Sequence, residues 1–108
     1  MTTLIKIYDT TCDVCRALEG YDTAIAEEAG LDFQAFTLEQ LASNPTPLRD
    51  YVISMYVAPN DGMVDIPIYV VDNNGDLQAS GVIQTVEDLQ NLITAWRQWE
   101  SFQKQPSA

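Results

Sequence analysis

Cys12-Asp13-Val14-Cys15 is the place in this 108-residue chain where reactive side chains stand at a spacing that suggests chemistry. Thiols so placed serve as part of a metal or iron–sulfur site, or as a reversible disulfide. Zinc normally takes four Cys or His ligands, and the chain has two cysteines and no histidine, so a metal would need a second copy to complete its shell. A purely structural bridge is a poor use of the pair, because it would close a tiny loop and restrain little of the unfolded chain. On one helical turn the two Cα atoms lie ~5–6 Å apart, inside the range a disulfide tolerates. If Cys12 opens that helix, free backbone N–H groups and the helix dipole favour its thiolate. One thiolate can attack a disulfide and the other can resolve the mixed disulfide. The spacing reads as a two-electron switch needing no metal and no bound cofactor beyond the Cys12–Cys15 disulfide.

The flanking segments are the elements that must hold this pair. Residues 3–8 are rich in β-branched and aromatic types and read as a strand. From residue 12 the apolar period becomes helical: Val14, Ala17, Leu18, Tyr21, Ala24, Ile25 and Ala29 share one face as far as Gly30. Gly20 costs this helix about 1 kcal/mol, so a bend or fraying is expected there. Leu31–Thr37 alternates as a second strand, completing a right-handed βαβ unit with parallel strands. Thr37 caps a short turn through Leu41, and Thr46-Pro47 starts another helix with Leu48, Tyr51, Val52 and Met55 inward. Ile66–Asp72 reads as a third strand and Leu77–Ser80 as a fourth, joined at Asn74-Gly75 as an antiparallel hairpin. Thr85 opens a last amphipathic helix with Leu89, Leu92, Ile93 and Trp96 inward. Residues 1–103 form one domain, and 104–108 are expected to be a mobile tail. The order β-α-β-α-β-β-α predicts an α/β three-layer sandwich with a central mixed four-stranded sheet.

Composition removes other functions. Sixteen acidic residues face five basic ones, a formal net charge of −11, which argues against a nucleic-acid partner. The absence of histidine removes Ser-His-Asp hydrolysis and His-liganded zinc chemistry. No apolar run approaches the ~20 residues that span a bilayer, and no signal peptide is visible, so no membrane role and a cytoplasmic address are expected.

The pattern resembles the thioredoxin family over roughly residues 3–100. The resemblance rests on the C-x-x-C between the first strand and helix, Ile66-Pro67 at the head of the third strand, Gly81 after the fourth, and the closing helix. It implies a thioredoxin-like fold, with Cys12 as nucleophile and Cys15 as resolving thiol. It further implies a cis Pro67 beside the cysteines, and a substrate surface drawn from Ile66, Pro67, Thr11, Asp13 and Gly81. Without the resemblance, a trans proline opening an edge strand would be the reading. Protein disulfides are the implied substrates, a thioredoxin-reductase-type protein the implied electron donor, and a monomer the implied state. The chain is most similar to small, divergent phage-type members, which would place it in a host cytoplasm. It departs from the family in lacking the N-terminal strand and helix, in having Asp-Val between the cysteines, and in carrying Thr11 where thioredoxins have Trp. Ser80-Gly81-Val82-Ile83 lacks the paired glycine that holds glutathione in glutaredoxins.

Lys6 stands where thioredoxins carry a buried acid. Either its ammonium modulates the Cys15 thiol, by favouring the thiolate or by accepting its proton, or it snorkels out past the strand. Asp9, Asp13, Asp61 and Asp65 are expected to crowd one rim, disfavouring a Cys12 thiolate. A Cys12 pKa near ~7 is expected, away from the ~3.5 of a strong oxidase, hence a reducing role. The rim would also suit basic partners. Met55, Met63 and Val57-Ala58 form either an apolar docking lip or ordinary packing. A function of another class stays open: a redox-inert binding or assembly module using the groove and acidic rim.

Overall fold

The structure is a computed structural model that describes residues 1–104. It contains four strands, β1 (Thr2–Tyr8), β2 (Asp32–Thr37), β3 (Ile68–Asn73) and β4 (Asp76–Val82). Its α-helices are α1 (Asp13–Leu18), α2 (Tyr21–Glu28), α3 (Leu38–Ser43), α4 (Pro47–Val52) and α5 (Val86–Lys104). The sheet order is β2-β1-β3-β4, with β1 and β2 parallel and the other pairings antiparallel. The expected mixed sheet and three layers are both present. The expected tail at 104–108 begins within the helix at Lys104, and its remaining residues lie outside the described ones. Among the described residues, no helix is long and apolar enough to cross a membrane.

Strand alternation sorts the apolar residues into two cores. Leu4, Tyr69 and Val71 face α1, α2 and α5, where they meet Leu18, Ala26, Leu89, Ile93 and Trp96. Ile5, Ile7, Ile68 and Val70 face the other way, onto Leu41 and Val52. Lys6 points to the first side, between Leu4 and Tyr8, and its register partner on β3 is Tyr69. This places a cation inside the layer that carries the cysteines.

The local start signals act as their chemistry suggests. Thr37 and Gln40 form a reciprocal capping box on α3, and Thr46 caps α4 with Pro47 in its first turn. Asn74 and Gly75 both take positive φ, the backbone a tight hairpin needs, and Asp72 Oδ1 accepts the Gly75 N–H at 2.8 Å. Thr85 Oγ1 accepts the Asp88 N–H at the start of α5.

Several expectations need correction. The first helix does not bend at Gly20 but stops there, because φ is +86°, and α2 begins in a new phase. Asp22 and Ala26 therefore turn inward, whereas Ala17, Tyr21 and Ala24 are exposed. After α4 the chain widens into a π-turn at Ile53–Val57, followed by a 3₁₀ turn at Ala58–Asn60. A π-turn stacks residues five apart, so Tyr51 and Tyr56 come to one side and each hydroxyl lies 2.6 Å from Ser80 Oγ. Met55 is rotated out to 53% exposure instead of packing inward. The third strand starts at Ile68, after the Ile66–Pro67 bond, and β4 runs to Val82, so Gly81 lies inside the strand opposite Tyr69. A register shift at Val71/Asp72 makes Gln78 the extra residue of a bulge. Leu77 and Ala79 consequently face opposite cores, and Gln78 Oε1 accepts the Trp96 indole N–H at 2.8 Å.

The re-phased helix makes a direct prediction. Leu18→Ala, at a side chain 2% exposed, should cost about 2–5 kcal/mol of stability in urea unfolding. Tyr21→Ala should stay within about 0.5 kcal/mol, because the tyrosine is 60% exposed. An unbroken amphipathic helix would instead make both substitutions costly.

Candidate redox site

The cysteines sit at the sheet end where β1 leaves and β3 enters. The N–H of Cys12 donates to Asp9 O, which turns the chain from the strand into α1. Cys12 is the N-cap of α1, and the Cys15 N–H lies 3.1 Å from Cys12 Sγ. The two residues are joined as a disulfide with Cα atoms 5.2 Å apart. They are unequal in access: Cys12 is half-buried, while Cys15 is 2% exposed. With α1 only six residues long, the direct contact from the Cys15 amide matters more for the Cys12 sulfur than the dipole of a long helix would.

Pairing of Ile7 with Ile68 sets the preceding Pro67 beside the end of β1, so the loop that carries Pro67 adjoins the loop that carries the cysteines. The Ile66–Pro67 peptide bond is cis, Pro67 is fully buried, and its carbonyl accepts the Ile83 N–H at 3.0 Å. Ile66 is half-buried. Thr11 is exposed and donates its N–H to Asp9 Oδ1. Asp13 is exposed and ion-paired with Arg16, which offsets one of the charges expected to oppose the Cys12 thiolate. Gly81 is further from the cysteines in register than its expected place after the strand. A Cβ there would meet only Ile83 Cδ1, at an ordinary 3.7 Å, so the protein's own packing does not demand a glycine.

Lys6 does not snorkel. It is 5% exposed, and its Nζ donates to Cys15 O at 3.0 Å and to Asp22 Oδ2 at 2.7 Å. Tyr69 donates its hydroxyl to the same Asp22 oxygen at 2.9 Å, and the Thr23 N–H donates to Asp22 Oδ1 at 2.7 Å. The carboxylate is thus held by a cation, a phenol and an amide, as a buried charge must be. Burial, and next the neighbouring Asp22 charge and hydrogen bond, push the Tyr69 hydroxyl far above its usual range. A cavity of about 210 Å³ opens beside the pair, walled by Tyr8, Cys15, Asp22, Phe33 and Ala35. Asp22 went unseen in the sequence because it is a helix residue on the polar side of the apparent stripe. The one available signal was Gly20, whose φ decides which way Asp22 faces. Among the described residues, no group of three or more Cys, Asp or Glu is arranged to hold a metal.

Two predictions come from this buried network. Lys6→Met and Asp22→Leu should each cost about 3–5 kcal/mol, since each strands an uncompensated charge. The double variant should cost clearly less than their sum in a urea double-mutant cycle. The Tyr69 contribution to stability is complete below pH 10, where the unfolded tyrosine is also neutral, and falls as pH rises beyond it. Unfolding followed from pH 8 to about 11 should show that slope in the parent and a shallower one in Tyr69→Phe.

No family model and no curated protein matches the sequence. Solved structures do match the fold. The reduced thioredoxin pre-protein of Schistosoma mansoni superposes with a TM-score of 0.62 at 13% identity, over 88% of this chain and 78% of that one. Oxidised thioredoxin of Plasmodium falciparum gives 0.61 at 11% identity, over 88% and 80%. Thioredoxin 1 of Thermosipho africanus gives 0.60 at 14% identity, over 92% and 98%. Likeness of shape at so low an identity speaks to architecture, and on that ground this chain has the thioredoxin fold.

Proposed function

We propose that the chain is a thiol–disulfide oxidoreductase that reduces protein disulfides through a Cys12/Cys15 dithiol–disulfide cycle. The observation that carries this reading is the asymmetry of the pair: an accessible Cys12 under a backbone amide, and a buried Cys15 beside an ammonium. In the reduced chain the Cys12 thiolate attacks one sulfur of a partner disulfide. A mixed disulfide forms and the partner's other sulfur leaves as a thiolate, which takes a proton from water. Cys15 then loses its proton and attacks Cys12 Sγ, forming the disulfide present in this structure and releasing the partner's second thiolate. Two electrons pass from the chain to the partner. An external dithiol donor of the thioredoxin-reductase type must return them, and the chain would work as a monomer in the cytoplasm.

Lys6 modulates the resolving step in this scheme. Its ammonium, fixed on the Cys15 carbonyl, puts positive charge beside the residue that must ionise. Asp22 and Tyr69 hold that ammonium in place and keep the buried site electrically balanced. Cys12 depends instead on the Cys15 amide, against the carboxylate of Asp9 nearby.

Insulin reduction with dithiothreitol tests the reading. The chain should accelerate it, Cys12→Ser should abolish the acceleration, and Cys15→Ser should accumulate mixed disulfides. No acceleration, together with no redox equilibrium with glutathione, would overturn the reading and leave a redox-inert binding module. Cys12 should titrate near ~7, and a value near ~3.5 would contradict a reducing role. In Lys6→Met the pH at which the mixed disulfide resolves should move up by about one unit. An unchanged profile would reduce Lys6 to a packing residue.

A further inference from the structure

The cavity beside the Lys6–Asp22 pair borders more bonding capacity than the protein itself uses. Lys6 is 5% exposed and Asp22 1% exposed, and both line about 210 Å³ of space. An ammonium has three N–H donors, and Lys6 uses two of them, on Cys15 O and Asp22 Oδ2. An ionised carboxylate has about four lone-pair sites, and Asp22 fills three, with Lys6, the Tyr69 hydroxyl and the Thr23 N–H. Among the described residues, one donor on Lys6 and one acceptor position on Asp22 are therefore left over. The rings of Tyr8 and Tyr69 stand with centroids 5.8 and 5.9 Å from Nζ, which favours the cation but gives its third N–H no lone pair. A buried polar group without a partner is costly, so a cavity lined by such groups calls for a polar occupant.

Size and charge narrow that occupant. A cavity of about 150 Å³ takes benzene, so this one has room for an aromatic ring carrying a small substituent. The half-buried rings of Tyr8 and Phe33 border it and suit a flat apolar body. A donor and an acceptor side by side are matched by a group that offers the reverse pair. A primary carboxamide does so: its C=O would accept from Lys6 and its N–H would donate to Asp22 Oδ1. A carboxylate lacks the donor and would face Asp22, Asp9 and Glu19. An amidinium lacks the acceptor and would face the ammonium. We infer that this cavity is a binding site for a small aromatic primary amide. Cys15 borders it and Cys12 does not, so the site lies apart from the sulfur that partners reach, and its ligand binds whether or not disulfide exchange takes place.

The test is an NMR titration of the isotope-labelled, oxidised chain with four compounds of nearly one shape: benzamide, benzoate, benzamidinium and toluene. Benzamide should shift the Thr23 and Cys15 amide signals and bind about tenfold more tightly than each of the others. Binding of benzamidinium as tight as benzamide would make the cavity a cleft that collects cations. Equal binding of benzoate would make it an ammonium site, and equal binding of toluene an apolar hole. Each of these results overturns the amide site. Water as the sole occupant, seen as no saturable shift with benzamide, overturns it too. Ala35 is the register partner of Lys6 on β2 and lines the cavity, so Ala35→Leu should fill it and abolish the benzamide shifts in a folded chain. Undiminished benzamide binding in that variant places the ligand elsewhere and overturns the site.

Discussion

A lysine in the middle of a core-facing strand is the constraint from which much of this structure follows. Lys6 points into the same layer as Leu4 and Tyr69, and an ammonium there without a counter-charge would be intolerable. Asp22 supplies the charge, and it can do so only because the chain breaks at Gly20. In one continuous helix the inward stripe would run through Tyr21 and Ala24, and Asp22 would face water. The left-handed glycine restarts the helix in another phase, so the propensity lost at Gly20 is offset by a satisfied ion pair. Tyr69 opposite Lys6 adds a neutral donor, because its hydroxyl takes up a carboxylate lone pair that a phenylalanine would leave empty.

The same pair ties the cysteine helix to the sheet. Lys6 belongs to β1, Cys15 to α1 and Asp22 to α2, and one ammonium bonds both helices to the strand. The short α1 has few apolar contacts of its own beyond Leu18 and Val14. On the other side of the site the Pro67 carbonyl is held by Ile83, so the loop beside the cysteines is anchored to the chain leaving β4. Each half of the site is therefore tied by hydrogen bonds to the sheet or to the chain leaving it.

What was legible in the sequence was local. The cysteine spacing, the Thr37/Gln40 box, the Thr46-Pro47 start and the Asn74-Gly75 hairpin each depend on contacts within a few residues, and such contacts are written in the order of residue types. What was not legible depends on phase or on distance through space. Gly20 marked a weak point, but whether a helix bends or restarts is decided by what its far side must reach, here Lys6. The π-turn after Val52 is settled by two tyrosines converging on Ser80, and the β4 bulge by an indole N–H that needs Gln78. In each case a buried or half-buried polar group accompanies the irregular backbone geometry, and the apolar pattern alone pointed to the regular alternative.

Charge at this site works at two depths, and the physics of the two differs. The buried ammonium and carboxylate are shielded from salt by the protein around them, so their effect on Cys15 is nearly independent of ionic strength. They also cancel as seen from outside, and add little to the field met by an approaching partner. The carboxylates of Asp61 and Asp65 are the reverse: they are exposed, where water and salt screen them. A chain with a net charge of −11 can thus keep a cation behind Cys15 without making its surface basic. The buried pair lies beneath the disulfide, and the exposed carboxylates lie at the surface. A substitution in one layer should leave the other largely as it was.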